Sequence, residues 1–296
     1  MNVEFKNVSK LYGGKRVVDN ISLRIPSGKI CGFIGLNGAG KTTTMKMMTN
    51  LTPVSSGEIT FGGKRLSECG ERYKLFGAFI STPSYYGNLT AYENLASVQQ
   101  VLKQPVSEVD RVLGLVGLKQ AKKKRVSEFS YGMKQRLGLA FAFLNDPEIL
   151  ILDEPTNGLD PMGITEIREV LYEMVKDKGK TVFISSHNLP EMEQIADSVV
   201  IIDKGKVVFE GTKEKLYNLK GMSYQVVTDN TLGMEDILRK NGIAFTRKRD
   251  IFTVIMPRER VPRLTHDIFE QGIGVYEISP NKNLESMFLG IMGGGQ

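Results

Sequence analysis

Eight consecutive residues, Gly35-Leu36-Asn37-Gly38-Ala39-Gly40-Lys41-Thr42, carry the densest chemistry in the chain. They fit a glycine, four free positions, and then Gly-Lys-Ser/Thr. Glycines let successive backbone N–H groups curl around a polyphosphate. Lys41 supplies a positive point charge, and the Thr42 hydroxyl can ligate Mg²⁺. The pattern has meaning only between a strand and a helix. Lys29–Ile34 is a short apolar strand candidate, and Thr43–Met48 can open a helix. The expected ligand is therefore a nucleoside triphosphate, cradled by Gly35, Asn37, Gly38, Ala39, Gly40, Lys41, Thr42 and Thr43.

Two further clusters fit that ligand. Glu148-Ile-Leu-Ile-Leu-Asp-Glu154 ends an apolar strand in two carboxylates. Beside a phosphate loop, Asp153 is positioned to hold Mg²⁺ directly or through water, and Glu154 to polarise a water attacking the γ-phosphate. His187, one of only two histidines, follows the apolar run Thr181–Ser185. The carboxyl end of a parallel strand faces the crevice where ligands bind, so this imidazole can bond the γ-phosphate and orient the water. Lys41, Glu154 and His187 are the expected catalytic residues; Thr42 and Asp153 are the expected metal ligands.

Such residues need a scaffold, and the chain has room for a large domain and a smaller one. It has 296 residues, 41% hydrophobic and 24% charged, ordinary values for a soluble globular protein. Its longest apolar stretches fall far short of the ~18 residues a spanning helix needs. The N-terminal MNVEFKNVSK alternates like a strand and lacks a signal-peptide core. Cys31 and Cys69 have no metal or redox spacing, and Cys31 reads as a small buried core residue. A cytosolic protein is expected. The net charge of +6 is spread out, with one dense run at Lys119–Arg125 that reads as a solvated helix end or loop. No RNA-binding aromatic signature or zinc spacing accompanies it, so no nucleic-acid partner is expected.

Residues 3–8, 21–25 and 58–61 read as strands bounded by Gly-Gly, Pro-Ser-Gly and Ser-Ser-Gly turns. From about Pro83 to Asn145 the periodicity is helical, notably at Ala91–Val98 and Val106–Val116. Glu148–Leu152 and Thr181–Ser185 fit buried parallel strands, with a helix over Gly163–Lys178 between them. Asp197–Asp203 and Val207–Phe209 read as a closing hairpin. The fold class is α/β, a mostly parallel sheet with an inserted helical lobe. The character changes after Leu219-Lys220-Gly221. Strands at Tyr224–Thr228, Ile243–Thr246, Phe252–Met256 and Ile273–Ile278, with helices at Met234–Asn241 and Arg258–Gln271, give a β-α-β-β-α-β order that suits a small ferredoxin-like module. A last amphipathic segment, Leu284–Leu289, is expected to pack back on a neighbour. The expected division is 1–216 for the core domain, with its helical part at about 83–145, a linker at 217–222 and an accessory domain at 223–296.

Phe129-Ser-Tyr-Gly-Met-Lys-Gln-Arg136 completes a set of five elements in order, with the phosphate loop, the I-L-I-L-D-E strand, Asn157-Gly-Leu-Asp160 and Ser185-Ser-His187. Over roughly residues 1 to 215 the chain resembles ATP-binding cassette (ABC) ATPases. The resemblance implies a phosphate-loop core with an antiparallel β subdomain and a helical subdomain. It also implies ATP and Mg²⁺ as ligands and a head-to-tail homodimer with two ATP molecules sandwiched at its interface. Ser130 and Gly132 would then bind the γ-phosphate held by the other copy, Asp160 would communicate across the interface, and Tyr12 matches the family's adenine-stacking aromatic. A separate transmembrane permease would be the partner, with this subunit peripheral on the cytoplasmic face of the membrane.

Two positions depart from the family pattern. Tyr131 stands where the commonest signature has a second glycine. Ser81, in the loop from Phe79 to Thr90, stands where most members carry a glutamine that reaches Mg²⁺ and the attacking water. Serine is shorter and can act there only through an intervening water, which implies slower or more partner-dependent turnover. Within the family, G-A-G-K-T-T-T-M-K-M-M-T-N, T-P-S-Y-Y-G-N-L-T, the M-K-Q-R-L-G-L-A run and the closing L-E-S-M-F-L resemble bacitracin- and lantibiotic-type exporters. The function this implies is an energising subunit for export of, or resistance to, an antimicrobial peptide or similar amphiphile. The alternative is a soluble or regulatory ABC ATPase acting on a non-transport partner.

Overall fold

The computed structural model describes residues 1–69, 75–81, 85–218, 223–280, 284, 287 and 288. The chain divides into two compact units, Met1–Glu210 and Gly211–Gln296. The first is built on two sheets. β1 (Val3–Tyr12), β2 (Lys15–Ile25), β4 (Ser56–Phe61) and β5 (Lys64–Arg65) form an antiparallel sheet in the order β2-β1-β4-β5. β1 and β2 run on past residue 8 and start before residue 21, longer than the sequence pattern predicts. The reason is the two-residue turn Gly13-Gly14, where both φ angles are positive (52° and 81°) and Tyr12 pairs with Lys15. Such a turn matches the strand twist and lets pairing continue to its base.

The second sheet has the order β10-β9-β3-β8-β7-β6, from β3 (Ile30–Ile34), β6 (Phe76–Phe79), β7 (Ile149–Asp153), β8 (Thr181–Ser186), β9 (Ser198–Asp203) and β10 (Lys206–Thr212). Every residue of β3, β7 and β8 is buried, which explains their continuous apolar runs: a parallel strand covered on both faces has no solvent side to alternate with. The Phe33 and Phe183 rings pack 5.0 Å apart in this core. Parallel register pairs Ile34 with Ser186 and Asp153 with Ser185, so the polar ends of the three strands lie side by side.

Helix α1 (Lys41–Met48) leaves the loop after β3. The helical lobe holds α2 (Ala91–Val101), α3 (Ser107–Leu115) and α4 (Tyr131–Phe143). Thr90 and Glu93 close the start of α2 reciprocally through side chain and backbone. α4 runs close against β6, where a Cβ on Gly77 would strike the Ala142 carbonyl. In the basic run, Lys122 pairs with Asp110 at 2.7 Å, and Thr90 bridges to Arg125. Helix α5 (Pro161–Lys176) starts with Asp160 as its cap and Pro161 at its first turn. α6 (Leu189–Ile195) is capped by Asn188.

The second unit contains α7 (Lys213–Asn218), β11 (Ser223–Thr228), α8 (Thr231–Lys240), β12 (Ala244–Lys248), β13 (Ile251–Ile255), α9 (Val261–Glu270) and β14 (Val275–Pro280). Its sheet has the order β12-β13-β11-β14, and every adjacent pair is antiparallel. Val226, Phe252 and Val254 from the sheet and Met234, Ile237, Leu264 and Ile268 from the helices make a separate core. Helix α9 starts later than the sequence pattern predicts because Arg258–Arg260 forms a tight 3₁₀ turn and Pro262 occupies the first helical turn. Of the closing amphipathic segment, Leu284, Met287 and Phe288 are buried; residues 285, 286 and 289 lie outside the described residues, as do 82–84 of the T-P-S motif and 219–222 of the linker.

Candidate functional site

The carboxyl ends of β3, β7 and β8 bring the site together. Gly38 (φ 80°) and Gly40 (φ 110°) turn the backbone after β3 through the left-handed region, which side chains resist. Gly35 is held by space: a Cβ there would lie 2.5 Å from the Ile202 carbonyl oxygen. A cleft of about 210 Å³ follows, lined by Val17, Asn37, Gly38, Gly40, Lys41, Thr42, Thr43, Asp153 and Glu154. Lys41 is buried, and its Nζ donates to the Gly35 carbonyl at 2.7 Å and lies 3.7 Å from Glu154 Oε1.

Asp153 and Glu154 sit side by side in sequence but serve different neighbours. Asp153 Oδ2 accepts from the Thr42 hydroxyl at 2.7 Å, and its Oδ1 from the Ser185 hydroxyl at 2.6 Å. Thr42 and Asp153 thus offer a hydroxyl and a carboxylate oxygen at one point, the hard-oxygen donor set that suits Mg²⁺. Glu154 Oε2 accepts from His187 Nδ1 at 2.7 Å and from the His187 backbone N–H at 3.3 Å. His187 is 56% exposed at its side chain, against 19% for Glu154. One carboxylate faces the loop hydroxyl, the other the lysine and the imidazole.

The remaining expected residues lie elsewhere in the same unit. Gly35 and Ala39 are buried and are not among the cleft-lining residues. Tyr12 is about half exposed at the end of β1, its hydroxyl 3.3 Å from Thr52 Oγ1 and Lys10 Nζ 4.9 Å above its ring; it is not among the cleft-lining residues. Ser130 caps α4, its hydroxyl accepting from the Met133 N–H at 3.3 Å. Gly132 lies against the Gly158 carbonyl, 3.1 Å from where a Cβ would stand. Ser130 and Gly132 do not line the phosphate-loop cleft either. Asp160 caps α5, and Ser81 is exposed at φ 63°.

Several contributors have roles that the sequence does not assign, although Ser185 and Gln135 belong to two of its motifs. Val17 reaches the cleft from the antiparallel sheet. Ser185 holds Asp153, a role set by strand register. Gln135, buried on α4, donates to the Glu154 carbonyl at 3.3 Å. Glu191 on α6 accepts from the Thr156 hydroxyl at 3.0 Å, and burial raises its pKa above the ordinary carboxylate value although that bond opposes the rise.

Comparison with known proteins finds relatives of one family. The ABC transporter family model matches residues 18–157. The bacitracin transport ATP-binding protein BcrA of Enterococcus faecalis is 39% identical over 99% of this chain and 97% of its own length. The lantibiotic transport ATP-binding protein SrtF of Streptococcus pyogenes is 43% identical over 74% of this chain and 94% of its own. A solved ATP-binding subunit of an ABC transporter, 32% identical, superimposes with a TM-score of 0.67 over 73% of this chain and 92% of its own.

Proposed function

The chain belongs to the ABC transporter family, and on that premise we propose that it is the ATP-hydrolysing subunit of an exporter. The cargo is an antimicrobial peptide or similar amphiphile, moved through a separate membrane permease. The observation that carries the reading is one cleft lined by Lys41, Thr42, Asp153 and Glu154, with Glu154 bonded to His187 and Asp153 to Ser185 behind them. The likeness to bacitracin and lantibiotic transport proteins supports the class of cargo. Among the described residues no helix is long and apolar enough to cross a membrane, which fits a subunit lying on the cytoplasmic face and needing a permease.

We assign residues 1–216 to the nucleotide-binding domain, 217–222 to a linker and 223–296 to an accessory domain. Backbone N–H groups of residues 37–43 wrap the phosphates, and Lys41 turns from the Gly35 carbonyl to neutralise them. Thr42 and Asp153 would hold Mg²⁺, which when bound would supply positive charge against that developing on the phosphates. Glu154 takes a proton from the attacking water. The water oxygen bonds to the γ-phosphorus as its bond to the β–γ bridging oxygen breaks, leaving ADP and phosphate. His187, bonded to Glu154, keeps the carboxylate aimed and meets the γ-phosphate. Tyr12 stacks on adenine. Ser130 and Gly132 at the start of α4 close over the nucleotide of a second copy, which completes each site and excludes water. Ser81, too short to reach the metal directly, makes turnover slow or dependent on the permease.

Size-exclusion chromatography of Glu154→Gln beside wild type, with and without Mg²⁺-ATP, tests this. Removal of the base traps ATP, so the variant dimerises with ATP and wild type does not. A variant that hydrolyses ATP at the wild-type rate defeats the assignment.

A further inference from the structure

Glu154 is held in a conformation that its own backbone disfavours. Its φ of 51° lies in the left-handed region, which residues with a Cβ occupy only when their surroundings impose it. Those surroundings are identifiable. The Glu154 N–H donates to the Ser185 hydroxyl at 3.0 Å and the Ser185 carbonyl at 3.2 Å. The Glu154 carbonyl accepts from the Asn157 N–H and from Gln135 Nε2, each at 3.3 Å. The same amide reaches the Pro155 carbonyl at 3.5 Å. With two carbonyl oxygens before it, that end of Gln135 is the NH₂ group. Gln135 is 7% exposed, so without it the Pro155 carbonyl, and the Glu154 carbonyl beyond its bond from Asn157, would face a site where water competes poorly and an unmet acceptor is costly. On the far side of the loop, Thr156 is fastened to Glu191.

We propose that Gln135 is a positioning residue for Glu154: from α4 it pins the backbone on which the base is carried. The proposal rests on the reading of Glu154 as the base. Its consequence is a mechanical link. Ser130 caps the same helix, so the end of α4 that would meet the nucleotide of the second copy and the residue that sets this chain's own base belong to one rigid element. Engagement of one site then bears on the setting of the base in the other.

Gln135→Met keeps the side-chain length and removes the donor; Gln135→Glu sets an acceptor against two carbonyls. Amide hydrogen exchange on the full chain without nucleotide reads the loop directly. The Asn157 and Leu159 amides are expected to exchange about five- to tenfold faster in either variant, with β3 unchanged. Steady-state hydrolysis is expected to lose about tenfold in kcat, with KM for ATP held within about twofold. Unchanged loop exchange overturns the proposal, and so does faster exchange with an unaltered kcat. If the Met variant does not fold, the Glu variant carries the same readings. A wild-type chain that hydrolyses no ATP, alone or with its permease, overturns the reading of Glu154, while the exchange experiment still reports whether Gln135 pins the loop.

Discussion

The His187 ring donates through Nδ1 to Glu154 Oε2 at 2.7 Å, while the other oxygen of the same carboxylate faces Lys41 Nζ at 3.7 Å. Glu154, the proposed base, is thus held between an imidazole and an ammonium. With Nδ1 donating to the carboxylate, Nε2 can meet a phosphate oxygen only as a second N–H donor, so the ring makes that contact as the imidazolium. Replacement of His187 by alanine removes both the aim of the carboxylate and that contact. The expected loss is roughly a hundredfold in kcat, with nucleotide affinity changed far less because the phosphate loop is untouched. Single-turnover hydrolysis and equilibrium binding of a fluorescent ATP analogue separate the two effects.

Asp153 is bonded on both oxygens, to Thr42 and to Ser185. Ser185 therefore orients the proposed metal ligand without being one itself. Ser185→Ala is expected to raise the Mg²⁺ concentration needed for half-maximal hydrolysis about tenfold, in the range for loss of a residue that supports a metal ligand. The saturated rate should fall less. A Mg²⁺ titration of both proteins at fixed ATP checks this.

How much of this was readable from the chain depends on whether a contact is local. The phosphate loop, Asp153, Glu154 and His187 stand at the ends of apolar strands, and sequence position alone predicts that they meet, because parallel strands deliver their carboxyl ends to one crevice. Ser185 was visible as part of a motif, but its bond to Asp153 follows from the register of β8 against β7, which no single-strand pattern encodes. Gln135 was visible as part of the signature motif, but its bonds to the loop after β7 exist only once α4 is docked there. Val17 reaches the cleft from the other sheet. The first strands were underestimated because alternation weakens near Gly13-Gly14, where the turn itself sustains pairing.

Tyr131, the residue that replaces a glycine in the signature, has its ring against Gly158. A Cβ at Gly158 would collide with that ring, and φ there is 78°. Gly158→Ala is therefore expected to destabilise by both steric and backbone effects, about 2 kcal/mol together. Adding Tyr131→Gly should return the steric part and leave the backbone part. Urea denaturation of the two single variants and the double variant forms the cycle that measures this. Additive effects would mean the ring and the glycine do not touch.

Glu191 is buried beside Thr156, and burial raises its pKa above the 4.5 of a free glutamate. The fold therefore favours the protonated acid. That contribution is full below the unfolded value and is lost as pH rises through the higher folded value. At pH 7 an ionised Glu191 is a cost. Glu191→Gln keeps an acceptor for the Thr156 hydroxyl, so it is expected to raise Tm at pH 7 by about 2 °C, with the advantage gone near pH 4. A constant difference across that range would show that burial of the charge is not the cause.

Cys31 supplies the converse test, at high pH. Its thiol is buried in β3, and burial pushes its pKa from 9.0 up to about 12. Folded protein should therefore resist iodoacetamide at this position at pH 8, because the thiolate is the nucleophile, while half-buried Cys69 is labelled. Mass spectrometry of tryptic peptides reads both sites. The same shift has a consequence for stability. Between pH 9.0 and about 12 the unfolded chain ionises Cys31 and the folded chain does not, so the unfolded state gains about 1.4 kcal/mol per pH unit within that window. Cys31→Ala lacks this term but loses packing in the core at every pH. The stability advantage of wild type over Cys31→Ala is thus expected to be constant up to pH 9 and to shrink from there to pH 11. An advantage that stays constant to pH 11 would mean that the folded thiol ionises as freely as the unfolded one.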